Sequence, residues 1–269
     1  MIAPEGLTPP VATPMKVPFI SKKMPHLDLS SFKVGEKIVF SVKYMGIEAG
    51  EVSLETVRFV KIDGKVALHL RGTAKSSPLF SLFYQVDDYA ESYVSADKFW
   101  SLRHEIHARE SRRRQDRIVV FDHVKNRVRS YDRTVKKNKP PEVKEFDMEL
   151  RDHALDTFAA LWWMRTQKFE VGRAYWYDVF DNGKHWRIET KILRKQKIMS
   201  PFGKVDTVII QPFTYFEGVL KKKGEALIWV TDDERKLPIK IESKVKIGTI
   251  TAELKEANWE GQRVEAGIH

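Results

Sequence analysis

The stretch spanning residues 152–165 (DHALDTFAALWWMR) constrains the fold of this chain most strongly, because it is the longest run with helical apolar spacing. Leu155, Phe158 and Trp162 fall on one helical face. Asp152 precedes the apolar run and suits the N-cap position. Other apolar residues leave little of this helix polar, so it has to be enclosed by other elements. We therefore predict a long apolar helix over residues 152–166 at the centre of the fold.

The sequence on both sides of this stretch is patterned as β-strands. Alternating segments are separated by turn signals such as Asp63-Gly64, and the clearest hairpin joins residues 174–180 to 185–193. A second, short helix is predicted over residues 78–84, with Ser77 as its cap and Pro78 in its first turn. About a dozen strands joined by short turns favour an antiparallel meander. The predicted fold is mainly all-β: a large curved antiparallel sheet, open barrel or sandwich with one long apolar helix packed against it.

The distribution of proline predicts the domain organisation. Six of the twelve prolines lie in the first 31 residues, which favours an extended linker or tether over residues 1–31. The β-rich halves before and after the predicted helix are joined by an apolar segment instead of a linker. We therefore expect one domain over residues 32–257, followed by a C-terminal tail over residues 258–269.

Composition narrows the classes of function. The chain has no cysteine, which excludes disulfides, thiolate catalysis and cysteine-ligated metals. No apolar run approaches the ~18–20 residues that a membrane-spanning helix needs. The formal net charge of +10 favours an anionic partner such as lipid head groups or an acidic glycan. No recognised nucleic-acid-binding motif accompanies this charge.

Several short motifs occur along the chain in a fixed order. They are residues 44–50 (YMGIEAG), the apolar stretch at 154–165, Val171-Gly172, residues 201–203 (PFG), residues 228–238 (IWVTDDERKLP) and Ile247-Gly248. In order and spacing they resemble the exported Gram-negative proteins grouped as the DUF3108 family, over residues 34–255. The resemblance implies a mostly β fold and a periplasmic or outer-envelope protein whose signal sequence has been removed. It implies no catalytic residues.

A basic stretch over residues 103–139 departs from that family pattern. It contains thirteen Lys and Arg against five Asp and Glu, a net charge of +8. This stretch predicts a patch for phosphate, lipid head groups or an anionic glycan. The alternative is a solvated strand face opposed by acidic residues on the neighbouring strand. The candidate anion-binding residues are Arg112, Arg113, Arg114, Arg127 and Arg129.

Aromatic residues are concentrated in the predicted helix and the strands after it. Such residues stack on sugar rings or line apolar pockets, and they also fill cores. Alternation places Trp176 on the opposite sheet face from Tyr175 and Tyr177. Both faces therefore carry aromatic residues, and core packing accounts for one of them. The candidate ligand-binding residues are Trp162, Trp163, Trp176, Trp186 and Tyr215.

Paired carboxylates would be needed if the protein cleaved glycans. The candidates are Asp156, Glu105, Glu110, Asp178 and Glu217, and the sequence leaves open which two of them meet. His104, Glu105, His107 and Glu110 cluster in sequence, but their spacing matches no standard metal motif. We expect neither a metal nor a cofactor.

These observations favour a non-enzymatic envelope protein that binds an amphipathic lipid or a cell-wall glycan. One alternative is a cell-wall glycan hydrolase or lyase that uses acidic residues in a groove of the sheet. A second is an interaction scaffold with no small ligand. An apolar cavity would favour the lipid, an open groove with two carboxylates would favour the enzyme, and a filled interior would favour the scaffold. The sequence leaves the oligomeric state open.

Overall fold

The structure, a computed structural model, describes residues 33–216, 219–220, 225–245, 247–259 and 262–265. Within these residues it contains sixteen strands and two short helices. In chain order they are β1 Lys37–Tyr44, β2 Ile47–Ile62, β3 Lys65–Ser76, α1 Pro78–Ser81, β4 Asp87–Ser95, β5 Ser101–Glu110, β6 Arg113–Asp122, β7 Arg127–Lys136, β8 Glu142–Glu149, α2 Ala159–Arg165, β9 Ala174–Asp181, β10 Lys184–Ser200, β11 Gly203–Phe216, β12 Val219–Leu220, β13 Glu225–Thr231, β14 Pro238–Lys244, β15 Thr249–Trp259 and β16 Gln262–Glu265.

All strands belong to one antiparallel sheet, as the meander prediction required. Fourteen of them follow the order β8-β7-β6-β5-β4-β3-β2-β1-β15-β14-β13-β11-β10-β9, while β12 pairs with β11 and β16 with β15. The first half of the chain therefore winds outward from β1 to β8. The segment that contains α2 then carries the chain to the other edge, and the second half winds back until β15 pairs with β1.

The sheet curls so that its two edge strands approach each other, but it does not close. The rings of Phe146 on β8 and Phe180 on β9 have centroids 5.8 Å apart. His185 Nε2 lies 2.8 Å from the carbonyl oxygen of Glu149. No ladder of backbone hydrogen bonds joins β8 to β9 within the described residues. Instead, Leu155 makes two backbone hydrogen bonds to β9, at 2.8 and 2.9 Å.

The prediction of one long helix over residues 152–166 was wrong. Helix α2 has only seven residues, and Asp152 does not cap it. The reason lies in Asp156, whose Oδ1 accepts hydrogen bonds from the backbone N–H groups of Phe158 and Ala159, both at 2.8 Å. A short polar side chain that binds the backbone locally ends a helix on its N-terminal side. Leu155, one residue earlier, is already extended and paired with Val179.

The short helix α1 agrees better with its prediction. It begins at Pro78 and ends at Ser81, earlier than expected. The backbone N–H of Phe80 donates to Ser77 Oγ at 3.2 Å, so Ser77 is the predicted cap.

Helix α2 packs against one face of the sheet and completes the main core. Trp162 is fully buried, and its indole N–H donates to Thr56 Oγ1 at 2.9 Å. The ring of Phe158 lies over Gly72, where an added Cβ would come within 2.4 Å of Phe158 Cζ. Glycine at this position therefore allows the segment that leads into α2 to approach β3 closely.

Candidate functional site

An apolar cavity of about 210 Å³ lies between α2 and the sheet. Tyr177, Ile188 and Thr214 pair across β9, β10 and β11, so their side chains point to the same sheet face and line the cavity. Helix α2 forms the opposite wall. The lining residues are Ile38, Leu54, Thr157, Ala160, Leu161, Trp162, Met164, Arg165, Phe169, Tyr177, Val179, Ile188, Thr190, Ile210, Pro212, Thr214, Ile228, Val230, Lys236, Pro238 and Ile241.

Most polar groups in this lining already have partners. Arg165 is buried and makes a two-pronged ion pair with Glu36, and its guanidinium also donates to the carbonyl oxygen of Arg235 at 3.0 Å. Burial raises the pKa of the Glu36 carboxyl, against the effect of Arg165. Burial also raises the pKa of Tyr177 to about 12, although its hydroxyl hydrogen-bonds Thr190. The burial that causes both shifts leaves this wall poorly hydrated.

Lys236 places a positive charge in the same lining. Its ammonium donates to the carbonyl oxygen of Arg165 at 3.0 Å and lies over the ring of Phe169. Leu161, also in the lining, is 38% exposed. The cavity therefore combines a hydrocarbon-like interior with a cation in its wall.

The structure divides the candidate aromatic residues among three places. Trp162 belongs to both the core and the cavity wall, and Trp163 packs against Tyr177 with ring centroids 4.8 Å apart. Trp176 is 51% exposed on the other face of β9, where it contacts Tyr215. Trp186 instead packs against Phe216. Of the five candidates, Trp162 alone lines the cavity.

Asp156, a candidate catalytic residue, is enclosed in a network of hydrogen bonds. It is completely buried, and Oδ2 accepts hydrogen bonds from Ser92 and Ser101, both at 2.6 Å. With Oδ1 occupied by two backbone N–H groups, this carboxylate serves the structure of the segment that leads into α2.

The other candidate carboxylates are engaged by different partners. Glu105 pairs with Arg103 at 2.6 Å; burial opposes its ionisation, but His107 and Arg103 outweigh burial and lower its pKa. Glu110 accepts from Tyr84 and Arg113. Asp178 pairs with Arg151 and Arg187. Glu217 lies outside the described residues.

The candidate arginines fall into two groups. Arg112 lies in the turn between β5 and β6, and Arg113 and Arg114 follow it at the start of β6. Arg127 and Arg129 lie on the same side of β7, where β8 places Glu149 and Asp147 opposite them. Arg127 pairs with Asp147 at 2.7 Å.

Comparison with known proteins supports the fold and the family. The family model described as a protein of unknown function (DUF3108) matches residues 39–255. The chain belongs to this family. No curated protein matches the sequence.

Among solved structures, this DUF3108 member is similar to a β-barrel-like protein of the domain of unknown function DUF1849 from Brucella abortus. That match has a TM-score of 0.53 and 8% identity, and covers 86% of this chain and 100% of that one. A candidate exported protein with a YmcC-like fold from Bacteroides fragilis matches with a TM-score of 0.36 and 8% identity, covering 84% and 97% of the two chains. A candidate lipoprotein from Parabacteroides distasonis matches with a TM-score of 0.36 and 10% identity, covering 85% and 98%.

Sequence reasoning missed several cavity residues of this DUF3108 member. Ile210, Ile228 and Ile241 lie on three neighbouring strands of the second half, and the sequence alone shows no pairing between those strands. Lys236 lies in the connection between β13 and β14. The one available signal was the alternation within each strand, which gives a side chain's face but not its partner.

A second cavity of about 330 Å³ lies near β8 and the β9–β10 turn, and most of the residues that line it are polar or charged. His104 Nε2 and Ser130 Oγ are buried in this lining and make no hydrogen bond to a described residue. Across the described ranges, we find no group of three or more His, Asp or Glu side chains arranged to hold a metal ion. The same ranges contain no helix with the length and apolarity to span a membrane.

Proposed function

We propose that this protein binds an amphipathic lipid in the Gram-negative envelope without cleaving it, with the hydrocarbon part of the lipid in the cavity beneath α2. The apolar lining of that cavity carries the proposal. Isoleucine and valine side chains from β10, β11, β13 and β14 face aliphatic and aromatic side chains of α2 across it. A preformed apolar pocket with few polar groups is the usual environment for a hydrocarbon chain.

The size of the cavity suits part of a lipid. An apolar cavity of ~150 Å³ is already large enough for benzene, so about 210 Å³ accommodates a longer hydrocarbon segment. The rest of the ligand would leave the cavity past a partly exposed lining residue such as Leu161. An amphipathic molecule satisfies both conditions because its polar end remains in water.

The charge of the lining favours an anionic head group. Lys236 and Arg165 both contribute cationic groups to the wall, and Arg165 is paired with Glu36. A carboxylate or phosphate near Lys236 would gain a charge-assisted interaction. The envelope location rests on the family resemblance to exported proteins.

A fluorescence displacement assay tests this proposal. The probe is dansyl-labelled undecanoic acid, whose emission rises in an apolar site, and the competitors are palmitate and lysophosphatidylglycerol. Thr214→Phe adds an aromatic ring to the cavity wall and should weaken probe binding about tenfold or more. Thr251→Phe is the matched control: Thr251 is also half-buried, but it lies next to Ala252, the partner of the cavity residue Ile241, and so faces the other side of the sheet.

Each outcome of the displacement assay either supports or contradicts lipid binding in the cavity. Strong binding by the wild type and by Thr251→Phe, with loss in Thr214→Phe, supports the cavity. Palmitate and lysophosphatidylglycerol distinguish a free fatty acid from a phospholipid by their relative competition. An absence of probe binding, or equal binding by both variants, would overturn the proposal.

A further inference from the structure

Five chain connections lie side by side at one end of the sheet. They are the β14–β15, β1–β2, β3–β4, β5–β6 and β7–β8 connections, and the third of these contains α1. We call them the turn row. Because the strands are antiparallel and adjacent, alternate turns emerge at the same end.

Hydrogen bonds join each member of the turn row, or the strand end beside it, to the next member. Tyr44 Oη donates to the carbonyl oxygen of Ile247 at 2.8 Å. The backbone N–H of Ser77 donates to the carbonyl oxygen of Ala49, also at 2.8 Å. Further along, the N–H of Gln85 donates to Ser111 Oγ at 2.7 Å, and the N–H of Lys137 donates to the carbonyl oxygen of Arg112 at 3.0 Å. The row is therefore one continuous surface.

Three neighbouring connections of the turn row, together with the first residue of β2, expose large apolar side chains. Each of these side chains is between 62% and 79% exposed, and we call the set the apolar fringe. Its members are Met45, Ile47, Leu79, Leu82, Phe83 and Ile247. The Met45 side chain lies against Gly248, so the β1–β2 and β14–β15 turns are in contact. Contiguous exposed apolar groups on a folded domain mark an interaction surface.

Helix α1 shows that this exposure is not a by-product of core packing. Its N-terminus is capped by Ser77, and the Ser77 hydroxyl also donates to the carbonyl oxygen of Glu48 at 3.2 Å. None of the four residues of α1 is buried. The fold thus holds Leu79 and its neighbours in a defined position without using them in its core.

The other two connections of the turn row carry positive charge. They border a shallow surface depression, which we call the basic depression. Its lining residues are Arg112, Arg113, Lys136, Lys137, Tyr84, Asn138 and Glu110. Glu110 is the one carboxylate in that lining, which gives a net charge of +3. It is paired with Arg113 at 2.8 Å.

We propose that the turn row docks onto an anionic bilayer surface. The apolar fringe enters the boundary between head groups and acyl chains, and the basic depression beside it receives lipid phosphates. Apolar side chains next to lysines and arginines are the usual combination of proteins that lie on anionic membranes. A second copy of this chain fits less well, because the basic depression would face like charge. This inference goes beyond the cavity proposal, since it concerns the membrane that the protein contacts and does not require an occupied cavity.

Vesicle co-sedimentation of the full chain tests the role of the apolar fringe in membrane docking. The vesicles contain either phosphatidylcholine alone or phosphatidylcholine with phosphatidylglycerol. The double variant Leu82→Asp, Phe83→Asp should bind the mixed vesicles about tenfold more weakly than the wild type. Val124→Asp is the matched control, because Val124 is 80% exposed in the β6–β7 turn at the opposite end of the sheet and should change nothing.

A second pair of variants tests the role of the positive charge in the basic depression. Arg112→Glu and Lys137→Glu should each weaken binding to mixed vesicles but not to pure phosphatidylcholine, and added salt should remove the difference. Equal binding to both vesicle types, or binding unaffected by the fringe variants, would overturn the proposal. So would a wild-type dimer that dissociates on fringe substitution without any vesicle binding. Probe binding in the cavity should stay unchanged in all these variants, so the two proposals can fail separately.

Discussion

Ser101 Oγ accepts a hydrogen bond from the backbone N–H of Asp156 at 2.7 Å and donates one to Oδ2 of the same residue at 2.6 Å. Ser92 donates to the same oxygen from the neighbouring strand. Asp156 therefore ties the segment that leads into α2 to β4 and β5. Because α2 forms one wall of the apolar cavity, this buried network positions the cavity as well as the core.

Replacing Asp156 should destabilise the fold instead of removing a catalytic step. Asp156→Ala leaves two serine hydroxyls and two backbone N–H groups without their shared acceptor. We expect the free energy of unfolding to fall by about 3 kcal/mol, as for the loss of buried hydrogen bonds to a charged group. Urea denaturation at pH 7 measures this. An unchanged midpoint would contradict the structural role of Asp156.

The two tryptophans that flank this region should respond differently to truncation. Trp162→Ala removes a fully buried ring and its hydrogen bond to Thr56, and should cost about 3–5 kcal/mol. Trp176→Ala removes a half-exposed ring on the other sheet face and should cost less than about 1 kcal/mol. Thermal and urea unfolding of both variants give the comparison. A loss of less than about 1 kcal/mol for Trp162→Ala would contradict a stabilising role for the buried ring.

Glu91 makes part of the stability depend on pH. His69, 3.3 Å away, and the Arg71 guanidinium lower the pKa of Glu91 from 4.5 to about 2. Since the folded-state pKa is depressed, ionised Glu91 stabilises the fold above about pH 4.5, and this contribution is lost as the pH falls towards 2. Glu91→Gln should cost about 1–3 kcal/mol at pH 7.

The difference in unfolding free energy between wild type and Glu91→Gln should shrink from pH 4.5 to pH 2. Glu145→Gln, at an exposed position on β8, is the control and should stay within about 0.5 kcal/mol of wild type. A difference for Glu91→Gln that is the same at pH 7 and pH 2 would contradict the depressed pKa.

The strands could be predicted from the sequence because each one carries its own alternation and turn signal. Asp63-Gly64 and Asn182-Gly183 are turns in the structure, with both residues of each pair at positive φ, as their residue types predict. The order of the strands could not be predicted. The pairing of β1 with β15 joins residues more than two hundred positions apart, and no local signal specifies it.

The length of the central helix was mispredicted because helical spacing describes only the side chains. Leu155 and Trp162 are both buried, as a helical face would require, but Leu155 is buried as an extended residue paired with Val179. The hydrogen bonds of Asp156 decide where α2 begins, and they depend on two serines that are distant in sequence. The sequence indicated the cavity only indirectly, because it predicted an apolar helix that has to be enclosed by the sheet.

The most direct test of the central proposal is photo-cross-linking with a diazirine derivative of palmitate, followed by mass spectrometry of the labelled peptides. The account predicts adducts on α2 and on the cavity faces of β11 and β13, including the peptide that contains Ile210, and it predicts that excess palmitate suppresses them. Labelling confined to the apolar fringe, or labelling that palmitate does not compete, would contradict lipid binding in the cavity.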